Sequence, residues 1–470
     1  MTASTLPLVI QGGMGIAVSN WNLARAVSLT GQLGVVSGTA LDTVFVRRLQ
    51  DGDLCGSIRR ALAHLPLPGV ADEMIRRYWR PEGRAAGEPY RLLPMYRQTV
   101  SAMRERVTIA ANFVEVWLAK EGHAGRVGLN LLTKVQLPTL ASLYGAMLAK
   151  VDVVLMGAGI PREIPGVLDA FAERAPAAIR LDVIGDAGHE PEYLRFDPAD
   201  HQAPGAAPLE RPQFFAIVAA HSLAANLARK ASGRVDGFVV EGATAGGHNA
   251  PPRGAGTLND RGEPVYGARD EVDLQAMRDL GIPFWLAGGV GSPEGLRTAR
   301  ALGATGIQVG TAFAYADESG IAPELKASVL RAVADGSVDV FTDPRASPTG
   351  FPFKVVRAAG VPEQGDDRTR ICDLGYLRSA YRRSDGRLGY RCASEPVAQY
   401  VAAGGAEEDT VGRRCLCNGL TAVIGQAQER AGGPAEAPLL TSGDGVRDLT
   451  PFAERAGGYT AADVVRYLLG

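Results

Sequence analysis

The order of apolar runs and small-residue turns predicts an α/β chain folded as a (β/α)8 TIM barrel. Three observations predict it. Short apolar runs begin near residues 8, 34, 126, 152, 214, 236, 283 and 306, which makes eight strands. Nearly every run ends in glycine, alanine or another small residue. Helical patterns then fill most of the intervals, the beat of a parallel sheet with crossover helices. An open doubly wound sheet is the alternative, but it would concentrate its glycine signal in one strong turn.

Taken in order, Leu8-Val9-Ile10-Gln11 is the first strand and Gly12-Gly13-Met14-Gly15 its turn. Ser19 or Asn20 then caps a helix carrying Leu23, Ala26 and Val27 on one face. Gly34 to Gly38 repeats the design, with a helix over 42–49. Residues 51–98 interrupt it with Pro66, Pro68, Pro81, Pro89 and Pro94, and read as an insertion packed on the barrel. A long helix over 99–121 restores the pattern. Strands at 126–131 and 151–156 follow, with helices over 138–149 and 162–173. Leu181-Asp182-Val183-Ile184 and Tyr193-Leu194-Arg195-Phe196 flank a Gly/His/Pro turn and read as a surface hairpin within a second insertion, 179–212. Phe214 to Val218, Val235 to Glu241, Pro283 to Ala287 and Gly306 to Val309 complete the barrel, which is expected to occupy 1–335. Residues 336–470 read as a smaller, cysteine-containing accessory region packing on it, closed by a helix from Thr460 to Leu469.

Bulk properties exclude several functions. The 470 residues carry 49 Lys+Arg against 51 Asp+Glu, a net charge of −2, so no bulk charge points to nucleic acid or an anionic membrane. Met1 to Pro7 lacks a basic segment followed by an apolar run, and the longest apolar stretch, near 143–161, is broken by Lys150 and Asp152. A cytoplasmic enzyme acting on a small-molecule substrate is expected, with homo-oligomerisation left open. An interleaved run of Arg378, Arg382, Arg383, Arg387 and Arg391 with Tyr376, Tyr381 and Tyr390 could meet RNA or an acidic acyl carrier protein, although such a run is more often a solvated face.

Four groups of residues could carry chemistry. Ala287-Gly288-Gly289 after strand seven and Gln308-Val309-Gly310-Thr311 after strand eight stand where this barrel binds phosphate through backbone N–H groups. Gly12, Gly13, Met14, Asn130, Gly157, Gly246 and Gly247 form a layer of small or amide residues at strand ends. Together they suit a flat ring, with Asn130 offering an amide and Met14 a backbone N–H. His248 closes the loop after strand six and titrates near neutrality when unperturbed, so it is a candidate proton carrier. His221, after strand five, points to the same mouth or simply begins a helix. Lastly, four of five cysteines lie in the final region: Cys372, Cys392, Cys415 and Cys417. They are candidate ligands for zinc or an iron–sulfur cluster, the other reading being four buried apolar thiols.

Ile10 to Gly15, the G-x-x-A-G-G-H run from Gly242 to His248, Ala287 to Gly289 and Gln308 to Thr311 resemble the nitronate monooxygenase family (formerly 2-nitropropane dioxygenase). That family includes the flavin-type enoyl-[acyl carrier protein] reductases. The resemblance covers roughly residues 6–320. It implies a flavoprotein oxidoreductase binding FMN non-covalently, with Gly288, Gly289, Gly310 and Thr311 at the phosphate. Met14 and Asn130 would lie at the ring, and His248 would be the catalytic histidine. His221 matches, loosely, a lysine near the flavin in some members. The implied activity is oxidation of alkyl nitronates with O2 to a carbonyl compound and nitrite. The alternative is an NAD(P)H-dependent enoyl-thioester reductase, whose partner would be acyl carrier protein.

Overall fold

A computed structural model describes residues 6–202, 205–254, 256–430, 433–455 and 457–470. Met1 to Thr5, read above as lacking a leader, lie outside the described residues, as do 203 and 204 within the second insertion.

Eight parallel strands form the barrel: β1 (Val9–Gln11), β2 (Gly34–Ser37), β3 (Val127–Leu132), β4 (Val153–Gly157), β5 (Gln213–Val218), β6 (Gly237–Glu241), β7 (Phe284–Ala287) and β8 (Gly306–Val309). They pair in sequence order from β2 to β8, and β8 returns to β1. All eight expected strands are therefore present. Only the seam between β1 and β2 is thin, with a single bridge, Ile10 to Leu33. Gln11 completes it. Its backbone N–H donates to Leu33 O, and its side-chain Oε1 accepts the Val35 N–H at 2.9 Å. Its Nε2 donates to Ser19 Oγ at 2.8 Å, and the residue is fully buried. An amide side chain thus stands in for a missing rung of the ladder.

Side chains alternate along each strand, so one set fills the barrel and the other meets the helices. Ile10, Val35, Val153, Leu155, Phe215, Val239 and Trp285 fill the inside. Phe215 stacks on Trp285 with centroids 4.8 Å apart, and the indole N–H donates to Pro7 O at 2.8 Å. The helices follow their sequence signals. Asn20, not Ser19, caps Trp21–Ser28 through Leu23 N, and Ser101 caps the long helix Ala102–Lys120. Thr460 and Asp463 form a reciprocal capping box on Ala461–Leu469, which packs against Trp21–Ser28 and Pro293–Ala301.

The second insertion differs from its expected form. The antiparallel hairpin pairs Ala177–Arg180 with Tyr193–Phe196, so its first strand lies four residues earlier than the spacing suggested. Val183–Ile184 instead joins Ser379–Arg382 as a parallel neighbour, because Ala380 and Tyr381 offer it an open edge. The residues after 335 are anchored to the barrel at buried polar points. Tyr376 donates to Asp42 Oδ1 at 2.5 Å, and Asp42 also pairs with buried Arg104. Arg47, 2% exposed, donates to Gln428 Oε1 at 2.9 Å.

Replacing Gln11 with Met keeps the volume and leaves the Val35 N–H without its partner. Urea unfolding of this variant is expected to show a loss of about 1–3 kcal/mol; an unchanged midpoint would mean that the seam closes without the amide.

Candidate active site at the barrel mouth

The interior positions one step above the apolar filling are Gly12, Ser37, Asn130, Gly157, Ile217, Glu241, Ala287 and Gln308. Each stands two residues beyond an interior position on its strand, at the C-terminal end where this fold places chemistry. The layer is polar at Asn130, Glu241 and Gln308 and nearly flat elsewhere. Gly157 could not carry a Cβ, which would come within 2.7 Å of Ile217 Cβ. A Cβ on Gly13 would meet Asn130 Cβ at 2.3 Å, so the loop after β1 rests directly on Asn130. Asn130 Nδ2 reaches Gly13 O at 3.4 Å. Gln308 Oε1 is buried without a hydrogen-bond partner. Met14 differs from expectation: its backbone N–H, assigned above to a ring, donates to Ser19 Oγ at 2.9 Å. Its sulfur instead lies beside Gly310, 3.3 Å from where a Cβ would stand.

His248 follows β6 and is pressed edge-on against Phe353, centroids 5.0 Å apart at 74°. Its Nε2 shares a 2.7 Å hydrogen bond with Ser347 Oγ, which in turn contacts Thr349 Oγ1 at 2.8 Å. Burial, with the nearby Lys134 charge second, pulls the imidazole down to about 3, so it is neutral at physiological pH. Lys134, in the loop after β3, lies with Nζ 3.0 Å from the Phe351 ring centroid and has no hydrogen-bond partner. Burial lowers it to about 7, opposed by Glu241. Glu241 is raised to about 7 by burial, opposed by Lys134. Three titratable groups thus face the mouth, none carrying its ordinary affinity for a proton.

Lys134, Glu241, Ser347 and Phe353 were not singled out from the sequence. Glu241 carried a signal, being a charge at an inward position on a buried strand. Ser347 and Phe353 lie in the turn-rich stretch 347–354, which gave no hint of its destination.

The C-terminal region also reaches the mouth. Gly247 N–H donates to Thr441 Oγ1 at 2.9 Å, Gly443 N–H to Thr311 Oγ1 at 3.1 Å and Asp444 N–H to Thr244 O at 3.0 Å. Lys354, almost fully buried, clamps Asp444 and Thr342, each at 2.8 Å. Residues 441–444 therefore cross the loops after β6 and β8. Gly246 serves this crossing: a Cβ there would lie 2.7 Å from Gly443 N and from Ser442 C. The space a side chain would need there is thus taken by the tail. Gly288 and Gly289 have φ of +87° and +68°, left-handed turns open to glycine. A Cβ on Gly288 would meet Thr244 Oγ1 at 3.0 Å. His221 begins the helix His221–Lys230 directly after β5 and accepts the Asp273 N–H at 3.4 Å.

The arginine–tyrosine run is mostly committed within the protein. Arg382 pairs with Asp186 and Glu192, Arg378 donates to Tyr96 O, and Arg391 donates to Ala403 O while lying over the Tyr381 and Tyr400 rings. Cys372, Cys392, Cys415 and Cys417 are all free thiols lining one cavity. Among the described residues no three His, Cys, Asp or Glu side chains are close enough to form a single-ion cage. Nor is any described helix long and apolar enough to cross a membrane.

Comparison with known proteins bears on the same region. Residues 173–343, which hold β5 to β8, Glu241, His248 and both glycine loops, match the nitronate monooxygenase family model. The chain is 36% identical over 111 residues to the probable nitronate monooxygenase of Staphylococcus haemolyticus, and 38% identical over 98 residues to that of Bacillus subtilis. These alignments cover 23% and 21% of this chain and 30% and 26% of the relatives, so it matches under a third of their length. Two solved structures align at a TM-score of 0.46. FabK from Thermotoga maritima has 18% identity, covering 98% of this chain and 91% of that one. Nitroalkane oxidase from Streptomyces ansochromogenes has 15%, covering 99% and 95%. The chain holds a TIM barrel, and its residues 173–343 resemble the nitronate monooxygenase family.

Two outcomes follow from this geometry. Because the folded His248 binds its proton far more weakly than the unfolded one, its contribution to stability is complete above pH 6.5 and lost as pH falls from there toward 3. Urea midpoints measured from pH 7.5 to 4.5 should therefore fall more steeply for the natural chain than for His248→Gln. Parallel curves would show that His248 is solvated. Gly246→Ala should displace residues 441–444, seen as faster proteolysis within that segment; unaltered cleavage would mean that the loop yields instead.

Proposed function

We propose that this chain is an FMN-dependent oxidoreductase that oxidises alkyl nitronates with O2. The observation carrying this reading is the neutral, Ser347-bonded His248 at the lip of a mouth whose inner layer presents an unpartnered Gln308 Oε1. The family match over 173–343 supports it from sequence.

The residues present suit FMN. Backbone N–H groups of the Gly288–Gly289 and Gly310–Thr311 loops would take the phosphate. Gln308 and Asn130 would meet polar edges of the ring, and Gly12, Gly13 and Gly157 admit it closely. When bound, FMN supplies the electron acceptor and the centre that reacts with O2. His248 takes the α-proton of a nitroalkane or holds the nitronate already formed, and Ser347 fixes the ring that does so. Lys134, which lies over the Phe351 ring, would offer positive charge to the nitronate oxygens in its protonated form. Thr441 to Asp444 close the rim.

Flavin released by denaturing the purified chain should be FMN at about one per chain. Under anaerobic conditions a simple alkyl nitronate should bleach it, and in air nitrite should accumulate. His248→Ala should slow turnover of the neutral nitroalkane by about 100-fold or more while retaining FMN. Bleaching by NADPH and not by nitronate would replace this reading with an enoyl-thioester reductase.

A further inference from the structure

A lysine ordinarily sends its amine out to water, and an unpaired ammonium inside a protein is costly. Two lysines that turn inward here are paid in hydrogen bonds: Lys326 donates to three backbone carbonyls, and Lys354 to Thr342 and Asp444. Lys134 Nζ is shut off from water with no hydrogen-bond partner among the described residues. Its backbone is fixed on both sides. The Thr133 N–H and hydroxyl both donate to Gly157 O at 2.9 Å, and Val135 is buried. The side chain lies against Phe351, two residues from Phe353, the ring that meets His248. One short stretch of the C-terminal region therefore carries the surfaces on which both nitrogen bases rest.

We propose that Lys134 is a second proton-carrying residue of the site, and that the α-proton His248 lifts from a neutral nitroalkane comes to rest on Lys134 Nζ. This rests on the oxidoreductase reading above. The substrate C–H bond breaks and its electron pair moves into the nitro group, giving the nitronate. The proton passes from the imidazole to the neutral amine, which becomes an ammonium.

The surroundings suit this division of work. The charge of Lys134 acts on both other titratable groups of the mouth, Glu241 at the end of β6 and His248 in the loop beyond it. Lys354 and Asp444, the nearest charges of the covering segment, neutralise each other. A histidine held down to about 3 releases a proton readily, whereas an amine at about 7 keeps it under neutral conditions. The new ammonium has the Glu241 carboxylate and the face of Phe351 to stabilise it. It appears in the same step as the nitronate anion, so the buried mouth gains no net charge.

The test gives the full, FMN-loaded chain either a neutral nitroalkane or its preformed nitronate. For the nitroalkane, kcat/KM should rise with pH through about 7, as the amine loses its proton. Lys134→Met, and Lys134→Arg with its fixed cation, should lose that rise and slow the nitroalkane about 100-fold more than the nitronate. Glu241→Gln removes the charge that opposes burial and should move the rise to lower pH. A second readout needs no turnover. In the chain made with [ε-13C]lysine, one of six lysine signals should titrate near pH 7 and be missing from Lys134→Met. That titration in the natural chain decides if a variant fails to fold. Six signals all titrating above about pH 9, or equal slowing of both substrates, would overturn the proposal and leave the oxidoreductase reading standing. A natural chain that turns over neither substrate would overturn that reading and this proposal with it.

Discussion

The mouth exists only because an eight-stranded sheet closes on itself, and the closure depends on one buried amide. Along most of the barrel, adjacent strands are held by continuous ladders. Between β1 and β2 they diverge after a single bridge, and Gln11 Oε1 takes over the Val35 N–H. An apolar side chain there would leave a buried donor unsatisfied, a cost comparable to a lost hydrogen bond. Gln11 also ties Ser19, whose hydroxyl receives the Met14 N–H, so the same group that shuts the barrel shapes the first loop at its mouth.

Once the barrel is closed, strand alternation determines what faces the mouth. Five of the eight inner-layer positions are small, apolar or a hydroxyl, and three carry amide or carboxyl groups at different strands: Asn130, Glu241 and Gln308. The low polarity around them shifts every titratable group in the site by the same cause. Burial discourages the charged form, pushing Glu241 up and Lys134 and His248 down. A histidine held neutral in this way is not a fixed cation at pH 7.

The C-terminal region is part of this site. Ser347 and Phe353 orient His248 from one side, and Thr441 to Asp444 bridge the loops after β6 and β8 from the other. Lys354 links the two pieces by pairing with Asp444.

Much of the barrel was legible in the sequence because its signals are local. Strand runs, small-residue turns and caps such as Asn20, Ser101 and Thr460 each depend on neighbours within a few positions. His248, the glycine loops and the clustering of four cysteines could be located for the same reason. What the chain alone did not disclose is set by contacts far apart in sequence. Gly246 is small for Ser442 and Gly443, nearly two hundred residues away. Met14 gives its N–H to Ser19, and Val183–Ile184 leaves its expected hairpin for an edge supplied by Ala380 and Tyr381. His221 turned to Asp273, and Lys134 became an active-site candidate only when Phe351 covered it. Local periodicity determines which residues form strands and turns; only closure of the barrel and the return of its C-terminal segment decide which of them meet.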